Sequence, residues 1–212
     1  MLRRLLPSSL FVLATTAYAV DVPPAAPPPD TAAPIEAVVL HPLFDVDFMC
    51  SEHYQGQVPY LGDALGSDCM VVGGIEGGGE SGYTRPFRTD GKSNEDWYGW
   101  RTPVLSPLAG TVDRVNVNAV VNVPGQLGKP PASFILLSAA DGTRVMVAHV
   151  DDILVEAGDT VQAGQPLGVV GNNGFARAPH IHVGAWRGET PLQVRFDLRA
   201  MGALRKKGDA GE

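Results

Sequence analysis

Glycine and proline break this chain so often that its hydrophobic residues are confined to short runs. There are 25 glycines and 18 prolines among 212 residues. Proline removes a main-chain donor and glycine costs a helix interior about 1 kcal/mol, so a long helical bundle or coiled coil is disfavoured. The runs are rich in β-branched residues and bounded by Gly, Pro, Asn and Asp, the pattern of strands. Strands are expected over residues 103–105, 110–115, 133–137, 144–150, 153–155, 166–170 and 180–186. Asp141-Gly142, lying between two alternating runs, signals a hairpin. Residues 116–131 read as a long loop, and a short helix is expected near 194–204. The fold class is all-β, in one domain of ordinary size with at most a short C-terminal helix.

Residues 1–19 combine Met1-Leu2-Arg3-Arg4, an apolar stretch through Leu10-Phe11-Val12-Leu13-Ala14, and the small-x-small end Ala17-Tyr18-Ala19. That order is expected of a secretory signal peptide, and its apolar part is too short to span a bilayer. Residues 20–37, which include Pro23-Pro24 and Pro27-Pro28-Pro29, are expected to form a disordered, polyproline-like tether. The folded domain is expected over 38–205, followed by a disordered tail over 206–212. A formal charge of −7 with no basic run argues against a nucleic-acid partner. No second apolar stretch of spanning length follows, so the expectation is an exported protein without a membrane span, in the periplasm or outside the cell. In such a compartment Cys50 and Cys69, the only cysteines, are expected to form one disulfide; two buried thiols are the alternative.

The candidate chemistry lies with five histidines: His41, His53, His149, His180 and His182. Side chains alternate along a strand, so His180 and His182 share a face. Two imidazoles so placed can serve one metal ion or divide into ligand and base. Solvated surface histidines would show the same spacing. His149 falls on a different predicted strand, on the face of Val145 and Val147, where a hydrogen-bonded core histidine would also fit.

Their framing is more specific. Pro103-Val104-Leu105-Ser106-Pro107-Leu108-Ala109-Gly110-Thr111-Val112 precedes Val147-Ala148-His149-Val150. Val155-Glu156-Ala157-Gly158-Asp159-Thr160-Val161-Gln162-Ala163-Gly164-Gln165-Pro166-Leu167-Gly168 comes next. Val170-Gly171-Asn172-Asn173-Gly174 and Ala178-Pro179-His180-Ile181-His182 complete the series. In this order, over about residues 102–186, the motifs closely resemble the lysostaphin-type (LytM-like) zinc metallopeptidases, which are peptidoglycan endopeptidases. The resemblance implies a compact β-sandwich or barrel-like domain with a groove across one sheet. It also implies a Zn2+ cofactor and peptidoglycan stem peptides as substrate. It assigns His149 and His180 as catalytic and His182 as a zinc ligand.

Members of that family carry two further ligands upstream, a His and an Asp four residues later. The stretch expected to hold them, residues 90–100, contains no histidine. On the pattern of longer relatives, Leu65-Gly66-Ser67-Asp68-Cys69-Met70-Val71-Val72 looks like the ligand strand, with Asp68 as the carboxylate and His53 as the missing imidazole. A Cys50–Cys69 disulfide would draw those two together. His41 with Asp45 has the literal spacing and is a second candidate pair; Asp96 or Glu95 is a third source of a carboxylate. Trp97, Tyr98, Trp100 and Trp186 could line a groove, although a β core with few aromatic residues needs such rings for packing. The expected function is a secreted zinc endopeptidase cutting peptide cross-links of the bacterial wall. The alternative is a degenerate relative that binds the wall or activates another murein hydrolase. Similar turn phrases occur in biotinyl and lipoyl carriers, but the lysine such carriers need at a hairpin tip is absent here.

Overall fold

The structure is a computed structural model that describes residues 24–28, 30, 32–74 and 83–209. The expected signal peptide lies outside the described residues. Twelve strands and one α-helix form among them. β1 (Ala37–Leu40), β2 (Phe48–Glu52) and β3 (Ser67–Val71) precede β4 (Pro103–Leu105) and β5 (Gly110–Asn116). β6 (Phe134–Ser138), β7 (Thr143–Ala148), β8 (Val150–Asp151), β9 (Thr160–Val161) and β10 (Pro166–Val170) follow. β11 (Ile181–Arg187), β12 (Thr190–Phe196) and the helix α1 (Leu198–Asp209) complete the chain.

The main sheet runs β1-β12-β11-β7-β6-β5-β9, and a small sheet runs β4-β10-β8. β11 is the branch point. Its C-terminal half pairs with β12 through Ala185, Trp186 and Arg187. Its N-terminal half pairs on the same edge with β3, through Ile181, His182 and Val183. β2 then adds to β3 in antiparallel register. Alternation puts Ile181, Val183 and Ala185 on the buried core face, with Ile135 and Leu137 of β6 and Val145 and Val147 of β7. Each fully buried Val, Leu or Ile of this kind stabilises the fold by roughly 1.5–3 kcal/mol. The opposite face of β11 is left to His182 and Trp186, and Trp186 packs with Leu61 and Met146 in a second apolar cluster.

The all-β reading, the 141–142 hairpin and the disulfide are all present. Gly142 takes φ +82°, the left-handed conformation that the β6–β7 turn needs. Cys50 and Cys69 face each other across the β2–β3 ladder and are bonded.

Four details differ from the sequence expectation. Residues 153–155 form no strand, because Asp152 turns the chain at φ +43°; β9 forms farther on instead. The expected helix start is occupied by β12, which runs to Phe196 to pair with β1. Asp197 then caps α1, accepting from the main-chain N–H groups of Arg199 and Ala200. Ala37 already belongs to β1, and residues within the expected tether are fastened to the domain. Ala26 donates to Pro59 O, and Pro24 O accepts from Leu61 N–H. At the other end α1 extends through Asp209, into the expected tail.

Closing the 50–69 loop removes conformational freedom from the unfolded chain, and loops of that size give about 3 kcal/mol. Replacing both cysteines by alanine is therefore expected to lower unfolding free energy by about 3 kcal/mol. Denaturant titration of the variant against the oxidised wild type measures it.

Candidate metal centre

β3 and β11 set Asp68 directly opposite His182, on the face turned away from the core. His182 Nδ1 stands 2.9 Å from Asp68 Oδ1. His53 follows the last residue of β2, and its main-chain N–H reaches Gly66 O just before β3 begins. That contact brings His53 Nε2 to 3.5 Å from Asp68 Oδ2. One donor atom each from His53, Asp68 and His182 lies within 4.8 Å of the others, a spacing that could hold a metal ion. His180, one residue before β11, points its Nε2 at Asp68 Oδ1 from 3.6 Å. The rings of His149 and His180 lie 4.5 Å apart between centroids.

His149 reaches this group through a break in β pairing. A regular strand would turn it to the core face with Val145 and Val147. Instead His149 adopts φ +67°, an uncommon conformation for a non-glycine residue, between β7 and β8. Its ring swings to Asn173, where Nδ1 donates to the main-chain oxygen at 2.8 Å. His53 Nδ1 is held in the same way by Asp63 O, and His180 Nδ1 by Ala178 O, each at 2.8 Å. A neutral imidazole that donates from Nδ1 presents a lone pair at Nε2. Three imidazoles are therefore fixed through Nδ1, and Nε2 of His53 and of His180 faces Asp68.

Asn172 and Asn173 support this arrangement from inside. Asn173 is fully buried; its side chain accepts from Ser133 N–H and donates to Asp151. Asn172 donates to Asn94 and, through its main-chain oxygen, accepts from Asn122 N–H. The long loop after β5 is thereby pinned beside the histidines.

Burial and charge act in opposite directions across the cluster. Burial raises the Asp68 carboxyl, but hydrogen bonds from His180, His182 and His53 outweigh it and hold the group well below the usual carboxylate range. Burial would lower His182, yet Asp63 and Asp68 push it up to about 9. Donation to the Asp68 carboxylate raises His53 against the effect of burial. His149 is pushed down to about 3, by burial first and then by the charges of His180 and His182, so it is neutral in neutral solution. Asp68 retains 37% side-chain exposure against 8% for His182. The cluster thus meets solvent through its carboxylate.

The other candidates lie elsewhere. His41 packs against the Gly164 turn, with Nδ1 at Pro42 O. Both carboxylate oxygens of Asp96 are taken by Thr89 and Gly91, closing a surface loop. Neither His41 nor Asp96 joins a potential metal-holding group among the described residues. Trp186 is core, and Trp97 donates its indole N–H to Gly91 O. Asp63 was not anticipated: its carboxylate lies 2.8 Å from His182 Nε2. Its sequence context, Leu61-Gly62-Asp63-Ala64-Leu65, carries no motif that would have marked it.

Residues 98–194 match the family model described as Peptidase family M23. That stretch of the chain is similar to peptidase family M23. Among relatives of the chain is an uncharacterized metalloprotease of Haemophilus influenzae, 32% identical over 81 residues. That match spans 38% of this chain and only 15% of the relative. The catalytic domain of an A109H mutant of EnpA, a prophage-encoded M23 protein from Enterococcus faecalis, is similar at 23% identity. It covers 70% of this chain and 87% of that one, with a TM-score of 0.43. The catalytic domain of lysostaphin from Staphylococcus simulans shares 18% identity, covering 69% and 87%, with a TM-score of 0.38. His149, His180 and His182 fall inside the M23 match, whereas His53, Asp63 and Asp68 precede it.

His182 lies above its ordinary 6.5, so it contributes stability fully below pH 6.5 that is lost as pH rises through about 9. His149 behaves oppositely: its contribution is complete above 6.5 and lost as pH falls toward about 3. At pH 7 His182 carries a proton that a cation must displace. Zinc uptake at that pH is expected to release protons and to weaken as pH falls. Titration calorimetry in buffers of contrasting ionisation enthalpy measures both effects.

Proposed function

We propose that this chain is a zinc metalloendopeptidase that cuts peptide cross-links of peptidoglycan outside the cytoplasm. The observation that carries the reading is the convergence of His53, Asp68 and His182 beside two more imidazoles whose Nδ1 atoms are already committed to main-chain oxygens. Two imidazoles and one carboxylate are the donor set of zinc sites that keep a coordination position open. On this reading His53, Asp68 and His182 hold the ion. When bound, zinc supplies Lewis acidity, polarising a scissile carbonyl and acidifying water.

The protein groups then divide the remaining work. His149, neutral and with a free Nε2, accepts a proton from the attacking water or donates to the developing oxyanion when protonated. His180 stands 4.5 Å from it, ring to ring, and takes the complementary role in proton transfer or oxyanion stabilisation. Their fixed Nδ1 bonds remove the cost of orienting either ring during the reaction. Export is part of the proposal. It rests on the signal-like residues 1–19 and agrees with the disulfide, a bond that persists in oxidising compartments. No helix among the described residues is long and apolar enough to cross a membrane.

Elemental analysis of the chain purified without chelators or affinity tags is expected to give about one zinc per molecule, as a three-residue site requires. His182→Ala is expected to lose the metal. His149→Ala should keep it while peptidoglycan digestion falls by at least about a hundredfold, the usual loss of a general acid or base. A wild-type chain that binds no zinc and digests nothing would overturn the enzyme in favour of a wall-binding or hydrolase-activating protein.

A further inference from the structure

We propose that Asp63, through its carboxylate, is a positioning residue for the His182 imidazole of the metal centre, an inference that rests on the zinc reading above. The argument begins with the proton on His182. Its Nδ1 faces Asp68 at 2.9 Å, within the group of donor atoms that would surround a cation. If Nδ1 gives its lone pair to the ion, the one remaining ring proton of neutral His182 sits on Nε2. That atom is buried and has no hydrogen-bond partner as the structure stands. Asp63 Oδ1 lies 2.8 Å away but off the line that a hydrogen bond needs. Ligating histidines almost always donate their second ring N–H to such an acceptor, which fixes the tautomer and strengthens the ligand.

The same residue holds the second imidazole by a different atom. Asp63 O accepts from His53 Nδ1 at 2.8 Å, which leaves His53 Nε2 aimed at Asp68. One loop residue thus touches two rings from distant parts of the chain, one just after β2 and one on β11.

The loop is built to stay there. Asp63 N–H and Ala64 N–H both bond Tyr60 O, and Gly66 N–H bonds Asp63 O. Leu61 is anchored against Trp186 and Met146. Gly62 O lies so close to the Gly184 Cα of β11 that a Cβ at 184 would collide with it. At Gly66 a Cβ would stand 2.8 Å from His182 Cε1. Glycine at these positions lets the loop backbone lie directly on the histidine strand.

Zinc affinity, measured by competition with a chromophoric chelator, tests the proposal in wild type, Asp63→Ala and the near-isosteric Asp63→Asn. Both variants keep the main-chain bond to His53, so they report the carboxylate alone. Asp63→Ala is expected to bind zinc about 10–100-fold more weakly, the usual cost of removing such a partner. Asp63→Asn, which still offers an oxygen, is expected to fall between. Nitrogen-15 NMR of the zinc-loaded proteins gives a second readout. The His182 Nε2–H resonance should be protected from exchange in wild type and lose that protection in Asp63→Ala. Wild type binding zinc, with both variants matching it in affinity and in the Nε2–H signal, would overturn the role of Asp63 alone. Wild type binding no zinc would overturn the metal centre and this inference with it.

Discussion

The antiparallel pairing of β3 with the N-terminal half of β11 sets Asp68 opposite His182, and the rest of the cluster takes its position from that pair. The two residues are 114 apart in sequence, yet directly opposed residues on a ladder have Cβ atoms only about 5 Å apart. Because β12 occupies the other half of the same β11 edge, β3 has a single place to dock. A slip of one residue would turn Asp68 into the core and bring Cys69 outward. Both the buried Cys69 and its bond to Cys50 oppose such a slip. Register, disulfide and site geometry are in this way one constraint.

The cluster also shows how a low-dielectric setting sorts chemically identical side chains. His149 and His182 are both buried, but only His182 has carboxylates beside it. One ring is therefore neutral and the other charged in the metal-free protein. That division matches a proton acceptor beside a cation-binding position.

Much of this was legible in the residues. Most of the strand runs and the Asp141-Gly142 hairpin follow from local chemistry, as does the approach of both His180 and His182 to Asp68. The convergence of His53 with Asp68 was open to inference because the cysteines bracket it, though nothing local excluded His41 with Asp45. The route by which His149 leaves the core face was not readable. A positive φ at a histidine depends on what the ring gains elsewhere, here the oxygen of Asn173. Asp63 was hidden for a related reason. Its importance comes from the approach of Gly62 to Gly184, a contact between backbones that no side-chain pattern announces.

His53, His149 and His180 are oriented by carbonyl oxygens of the main chain, at Asp63, Asn173 and Ala178. Every amino acid carries such an oxygen. The aim of these three rings is therefore inherited from the path of the chain and not from the identity of its neighbours. Side-chain exchanges at their carbonyl-bearing neighbours leave that aim in place so long as the loops keep their length and course, whereas Gly66, Gly184 and Asn173 are held by packing and side-chain bonds. Insertions or deletions in the same loops would move the carbonyl oxygens themselves and so re-aim the rings. A lineage of such proteins can thus vary its surface chemistry beside the histidines, and with it the molecules it meets, while the aim of those rings stays fixed.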